Sequence, residues 1–273
     1  FVPLLAVEAI QTIALFFIIG MGVFGQGFVG KLAFPSANVS DRLEKTFTSV
    51  NFNMMIMIIY ALITIAIFGM WYYARYEGNF LPSPKKTFNP MMIVAIVILV
   101  PGTQFAANFI ANLTGYIRPD WLQQYNELFE TSGITDTTFV TVLYSVILAP
   151  ICEELIFRGV TMRCARKALP FALANLMQAA LFGLFHLNWI QGIYAFALGI
   201  VLGYVCERGG SIYYSMGLHL LFNLWGTLSG FFPDPGNSVV VFVVVIVVTI
   251  VSLVAGFVLF NKGRRKLPIN STG

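Results

Sequence analysis

Charge is what this sequence has least of. Asp, Glu, Lys and Arg make up 10% of its 273 residues, against about 25% in an ordinary soluble domain. Hydrophobic residues fill 58% of the chain and the mean hydropathy is +0.81. That balance excludes a water-soluble globular domain and points to an integral membrane protein. Cysteine is scarce as well. Cys152, Cys164 and Cys206 are odd in number and far apart, so neither a disulfide framework nor a Cys-x-x-Cys metal pair is expected. Polar–apolar alternation is missing from the apolar runs, which excludes a transmembrane β-barrel. The net charge of +4 comes from short segments between apolar runs, so no nucleic-acid partner is expected. The first apolar run has no basic stretch before it, and is expected to be a retained span instead of a signal peptide.

What is present is a series of long apolar runs. A helix that crosses a bilayer needs about 20 mostly apolar residues. Runs at 3–30, 51–74, 89–111, 138–166, 171–188, 190–206, 211–231 and 238–260 predict about eight spans. The expected fold class is all-α, a polytopic membrane protein with a polar intramembrane cavity, in one membrane domain over 1–273. Pro101-Gly102 is expected to kink the third span. Of the basic residues, all but Lys31, Arg42, Lys45 and Arg118 fall on one side of this arrangement. The positive-inside rule makes that side cytoplasmic and puts both termini there. The longest connection contains WLQQYNELFE. Its Trp121, Leu122, Tyr125, Leu128 and Phe129 recur at helical spacing and read as an amphipathic helix at the membrane surface; a substrate-guiding lid is the other reading. The KGRRK tail is expected to meet anionic lipid headgroups.

Polar groups inside apolar runs carry the functional information, because a charge at the bilayer centre costs at least ~2.5–3.5 kcal/mol. Glu153, Glu154 and Arg158 lie in PICEELIFRG, in the fourth span. The chain has two histidines, and both are in spans: His186 in the fifth, His219 in the seventh with Asn223. Glu154 and Arg158 are four apart, share a helix face and can pair. Glu153 points about 100° away and is the freer carboxylate. Counting helix rise from the two intervening turns puts all these groups at broadly similar depth. A carboxylate and an imidazole around a water form a general-base constellation. A second imidazole with an amide can hold an oxyanion. Each group also has a structural reading, as an ion pair or as interhelical hydrogen-bond glue. Gln104, Asn108 and Asn112 read as such a stripe, and Gly199-x-x-x-Gly203 as a close helix contact.

Glu153-Glu154-x-x-x-Arg158, Phe182-x-x-x-His186 and His219-x-x-x-Asn223 together resemble the three-motif signature of the CAAX protease and bacteriocin-processing (CPBP, or Abi) family. The resemblance covers roughly 140–226, within a catalytic core expected over 138–231. It implies an intramembrane endopeptidase of the glutamate type, in which Glu153 and His186 activate water. His219 and Asn223 would hold the oxyanion, with Glu154 and Arg158 in support. It implies a peptide or protein substrate, with or without a lipid, in a bacterial cell membrane, and no cofactor. It also implies access from the cytoplasm, whereas helix depth puts His186 beyond the midplane from the basic turns. Two other classes stay open. One is a zinc protease with Glu153, His186 and His219 as ligands; the other is a non-enzymatic scaffold or bacteriocin-immunity protein using the same cavity.

Overall fold

The computed structural model describes residues 50–74, 88–132, 138–229 and 238–264. Among the described residues there are eight helices and no strands. They are α1 (Val50–Tyr72), α2 (Pro90–Ile117), α3 (Pro119–Ser132), α4 (Phe139–Ala165), α5 (Phe171–Phe185), α6 (Trp189–Gly209), α7 (Ile212–Ser229) and α8 (Val239–Arg264). The all-α polytopic expectation holds. By length and composition α2, α4, α6 and α8 can each cross a membrane, while α5 and the Met57–Tyr72 part of α1 are shorter apolar helices. The expected span 3–30 lies outside the described residues. The eighth described helix is α3, built from the segment expected to lie at the surface.

Local sequence explains where several helices begin and bend. Asn89 caps α2 by accepting from the Met91 N–H at 2.9 Å, with Pro90 following at the first helical position, where its missing N–H costs nothing. α2 continues through Pro101, which has no N–H to donate to the ladder. The Gly102 N–H turns to Ser252 Oγ on α8 at 2.8 Å, and the Ser252 hydroxyl donates to the Ile98 carbonyl. A side chain from α8 thus bridges the Gly102 N–H and the Ile98 carbonyl beside the proline.

α4 is not a uniform α-helix. It widens into π-helical turns at Leu143–Leu148 and Leu155–Met162, on either side of an α-helical stretch, Ala149–Glu154. Such turns occur often at functional sites. In the first of them the Ala149 N–H bonds to the carbonyl of Tyr144, five residues back. The next donor in that register is Pro150, which has no N–H. The carbonyl of Ser145 is therefore left free for another partner.

α5 is short. Its 15 residues span about 22 Å, less than the roughly 30 Å hydrocarbon core. The expected span 171–188 ends early, at Phe185, because Leu187 takes a left-handed backbone (φ 53°) and Asn188 caps α6 by accepting from the Gln191 N–H at 3.1 Å. His186 is thereby put at a helix end. The two arms of this hairpin approach closely: a Cβ on Gly183 would stand 2.5 Å from the Gly192 carbonyl oxygen. Farther along, Asn175 donates to the Ile200 carbonyl at 3.0 Å and Gln178 to the Gly199 carbonyl at 2.9 Å. Here polar side chains do act as interhelical glue.

The helix ends sort into two groups. Arg166 pairs with Glu207 at 3.1 Å, and Asn89 bonds both the Tyr214 hydroxyl and the Gly263 carbonyl. The α4–α5 and α6–α7 turns, the start of α2 and the end of α8 are thus at one end, the basic one. The α5–α6 turn, the end of α2 and α3 are at the other, where Trp121 stacks on Trp189 with ring centroids 5.3 Å apart.

Candidate active site

One cavity of about 690 Å³ is bordered by Glu153, His186, His219 and Asn223, together with Gln104, Asn108, Tyr125, Tyr144, Phe182, Gln191 and Tyr194. The residues singled out in three separate helices do meet. Thr141, Ser145, Thr227 and Ser229 continue the lining toward the end opposite the basic turns. The cavity therefore lies toward α3 and the α5–α6 turn.

The two adjacent glutamates differ in environment. Glu154 and Arg158 are fully buried, and Arg158 donates to Glu154 Oε1 at 2.9 Å. Arg158 also reaches the Gly199 carbonyl at 3.3 Å and lies 4.4 Å from the centre of the Phe182 ring. Glu153 is 15% exposed and borders the cavity. The i,i+4 pairing holds even though Arg158 stands in a π-helical turn.

His219 connects the pair. Its Nδ1 lies 2.9 Å from Glu154 Oε1 and its Nε2 3.6 Å from Glu153 Oε2. A carboxylate accepts, so Nδ1 carries the proton toward Glu154. This leaves Nε2 as the atom that faces Glu153. His186 is fixed differently. Its Nδ1 is 2.8 Å from the Phe182 carbonyl, which can only accept, so Nδ1–H donates and Nε2 holds the free lone pair. The Phe182 ring stands edge-on to both imidazoles, at 4.9 Å from His186 and 5.7 Å from His219. Asn223 Nδ2 donates to the Ser145 carbonyl at 2.8 Å, the carbonyl that Pro150 leaves without a helix donor. Its second Nδ2 hydrogen has no partner among the described residues.

Several lining residues were not found from sequence. Tyr144 and Tyr194 count as ordinary aromatic positions in apolar helices, and only their long-range placement puts them on the cavity wall. Tyr125 belonged to the expected surface helix. In the structure its hydroxyl hydrogen-bonds with that of Tyr194, so α3 is clamped on α6 and forms part of the wall. Burial pushes the Tyr125 phenol up, and the bond to Tyr194 opposes that shift. Farther out, the Arg118 guanidinium holds the Asp120 carboxyl below the usual carboxylate range. The stripe expected on α2 divides: Gln104 and Asn108 line the cavity, while Asn112 is exposed and does not.

No group of three or more His, Cys, Asp or Glu side chains among the described residues is arranged to hold one metal ion. The trio Glu153, His186 and His219 shares the cavity; both Nδ1 atoms are bonded to oxygen acceptors, and His219 Nε2 faces the Glu153 carboxylate. Neither the comparison with curated proteins nor that with solved structures gives a match. The family comparison does, and it falls on this site: residues 135–225, which carry Glu153, Glu154, Arg158, His186, His219 and Asn223, match the Type II CAAX prenyl endopeptidase Rce1-like family.

Proposed function

We propose that the chain is an intramembrane endopeptidase that hydrolyses a peptide bond with a water activated by Glu153 and His186, without a metal. The observation that carries this reading is the contrast between two adjacent glutamates. Glu154 is sealed against Arg158, while Glu153 borders open space 3.6 Å from His219. In this reading Glu153 takes a proton from a water that is also held by His186 Nε2. The water oxygen bonds to the substrate carbonyl carbon, and the carbonyl oxygen becomes an oxyanion stabilised by His219 and the second hydrogen of Asn223 Nδ2. The C–N bond then breaks and Glu153 returns its proton to the leaving amine.

The substrate is a membrane-associated peptide or protein. The matched family's description supports a prenylated CAAX chain as the first substrate to try. Zinc chemistry with the same residues is separated by a direct experiment. Metal content of purified protein is measured beside cleavage of internally quenched peptides, prenylated and plain, before and after chelation. Cleavage that persists at the same rate in metal-depleted protein is the expected outcome. Stoichiometric metal lost together with activity would replace this mechanism with a metal-assisted one.

A further inference from the structure

On the wall of the cavity formed by α2 is a polar pair with no part in the chemistry above. Gln104 is 7% exposed and borders the cavity. Its Nε2 donates to Asn108 Oδ1 at 3.3 Å, which fixes the sense of the amide. Its Oε1 has no hydrogen-bond partner among the described residues. A buried acceptor left empty is destabilising. Thr103, next to it, closes its hydroxyl on carbonyls of its own helix at 2.9 and 3.0 Å, and Asn175 bonds across to α6; Gln178 Oε1 also has no partner among the described residues, but Gln178 does not border the cavity. Among the described residues Gln104 makes no such bond to another helix. Asn108 is exposed, borders the same cavity, and its Nδ2 donors point to no described acceptor.

We infer that Gln104 and Asn108 form a subsite for the substrate's peptide backbone. Gln104 Oε1 accepts one backbone N–H, and Asn108 Nδ2 donates to a backbone carbonyl. The pair offers one acceptor and one donor, the complement of a peptide unit. A chain entering a water-poor cavity needs such partners, because its N–H and C=O groups lose water there. The position fits as well. The Gln104 amide lies 3.9–4.0 Å from where a Cβ on Gly226 would stand. Gly226 is one helical turn past Asn223, about 4.5 Å of rise, and extended chain advances about 3.3 Å per residue. The subsite thus serves a residue one or two positions from the bond that Asn223 attends. It reads backbone, so it holds the substrate extended without selecting a side chain.

This inference rests on the proteolysis reading, and its test separates the two. A peptide cleaved by the wild-type protein is selected from an internally quenched library that includes prenylated members. It is remade with single ester replacements of the amides within two residues of the cut, each removing one N–H. One ester is expected to raise KM about five- to tenfold in wild type, the range for a single net hydrogen bond. Gln104→Met is expected to raise KM by a similar factor with kcat nearly constant, as loss of uniform binding does, and to add nothing to the effect of that ester. Its unfolding temperature is expected to equal or exceed that of wild type, because a buried orphan is removed. Asn108→Leu, at an exposed position, is expected to raise KM likewise. Independent effects of ester and variant at every position, or a Gln104→Met protein that fails to fold, would overturn the subsite and leave proteolysis standing. A wild-type protein that cleaves no member of the library would sink both.

Discussion

Glu154 is held on one side by Arg158 and on the other by His219, both at 2.9 Å, with no exposed surface. Removing one partner of a buried ion pair is costly, because the other charge stays behind without compensation. Glu154→Gln is therefore expected to lower stability by about 3–5 kcal/mol, measured by unfolding in detergent, whatever it does to turnover. Equal stability with wild type and no cleavage would instead make Glu154 the base. Much of this division was legible in the sequence, because i,i+4 spacing places Arg158 on the face of Glu154 and turns Glu153 away. The bridging by His219 was not, since helix rise gives depth and carries no information on which way a helix is rotated. The role of Asn223 shows another limit: its bond to Ser145 follows from Pro150 and from a π-helical register, and the seventh span alone suggests neither.

Among the elements, the α5–α6 hairpin governs the site most directly. Its first arm ends at His186, and the two arms are drawn tight by Gly183 against Gly192 and by Gly203 against Asn175 and Gln178. Apolar length predicted both arms and the glycine spacing predicted a close contact. The early stop of α5 was hidden, because Leu187 is not a residue from which a left-handed turn is read. A methyl group at Gly183 meets backbone, which cannot swing aside. Gly183→Ala is expected to destabilise the protein by about 1–3 kcal/mol, as overpacking does, and to displace His186 from the cavity. The check is a thermal unfolding curve beside kcat. The sign of failure is an unfolding temperature equal to wild type. α3 also proved more than a surface helix, since stacking of Trp121 on Trp189 and the Tyr125–Tyr194 bond make it part of the cavity wall. Its apolar spacing is the same for a helix lying on lipid and for one lying on protein.

For the whole molecule, α8 presents a broad face of exposed Val and Ile residues, as do parts of α1 and α2, consistent with a lipid-facing perimeter around a polar centre. The cavity lies toward the end opposite the basic turns. With those turns cytoplasmic, as the positive-inside rule asks, the cavity faces away from the cytoplasm, opposite to the access implied by the family resemblance. Single cysteines in a cysteine-free background resolve this. Arg208→Cys is expected to be labelled by an impermeant reagent from the cytoplasmic side and Tyr116→Cys from the other. The reverse pattern would return the cavity to the cytoplasmic face.

The central claim is that Glu153 is the base and Glu154 its structural neighbour. It is tested most directly by the cleavage rate of Glu153→Gln in proteoliposomes, on any peptide that the wild-type protein cuts. Cleavage is expected to fall by about 10²–10⁴ while the unfolding transition stays at its wild-type position. Cleavage at the wild-type rate by a folded Glu153→Gln protein would contradict the account.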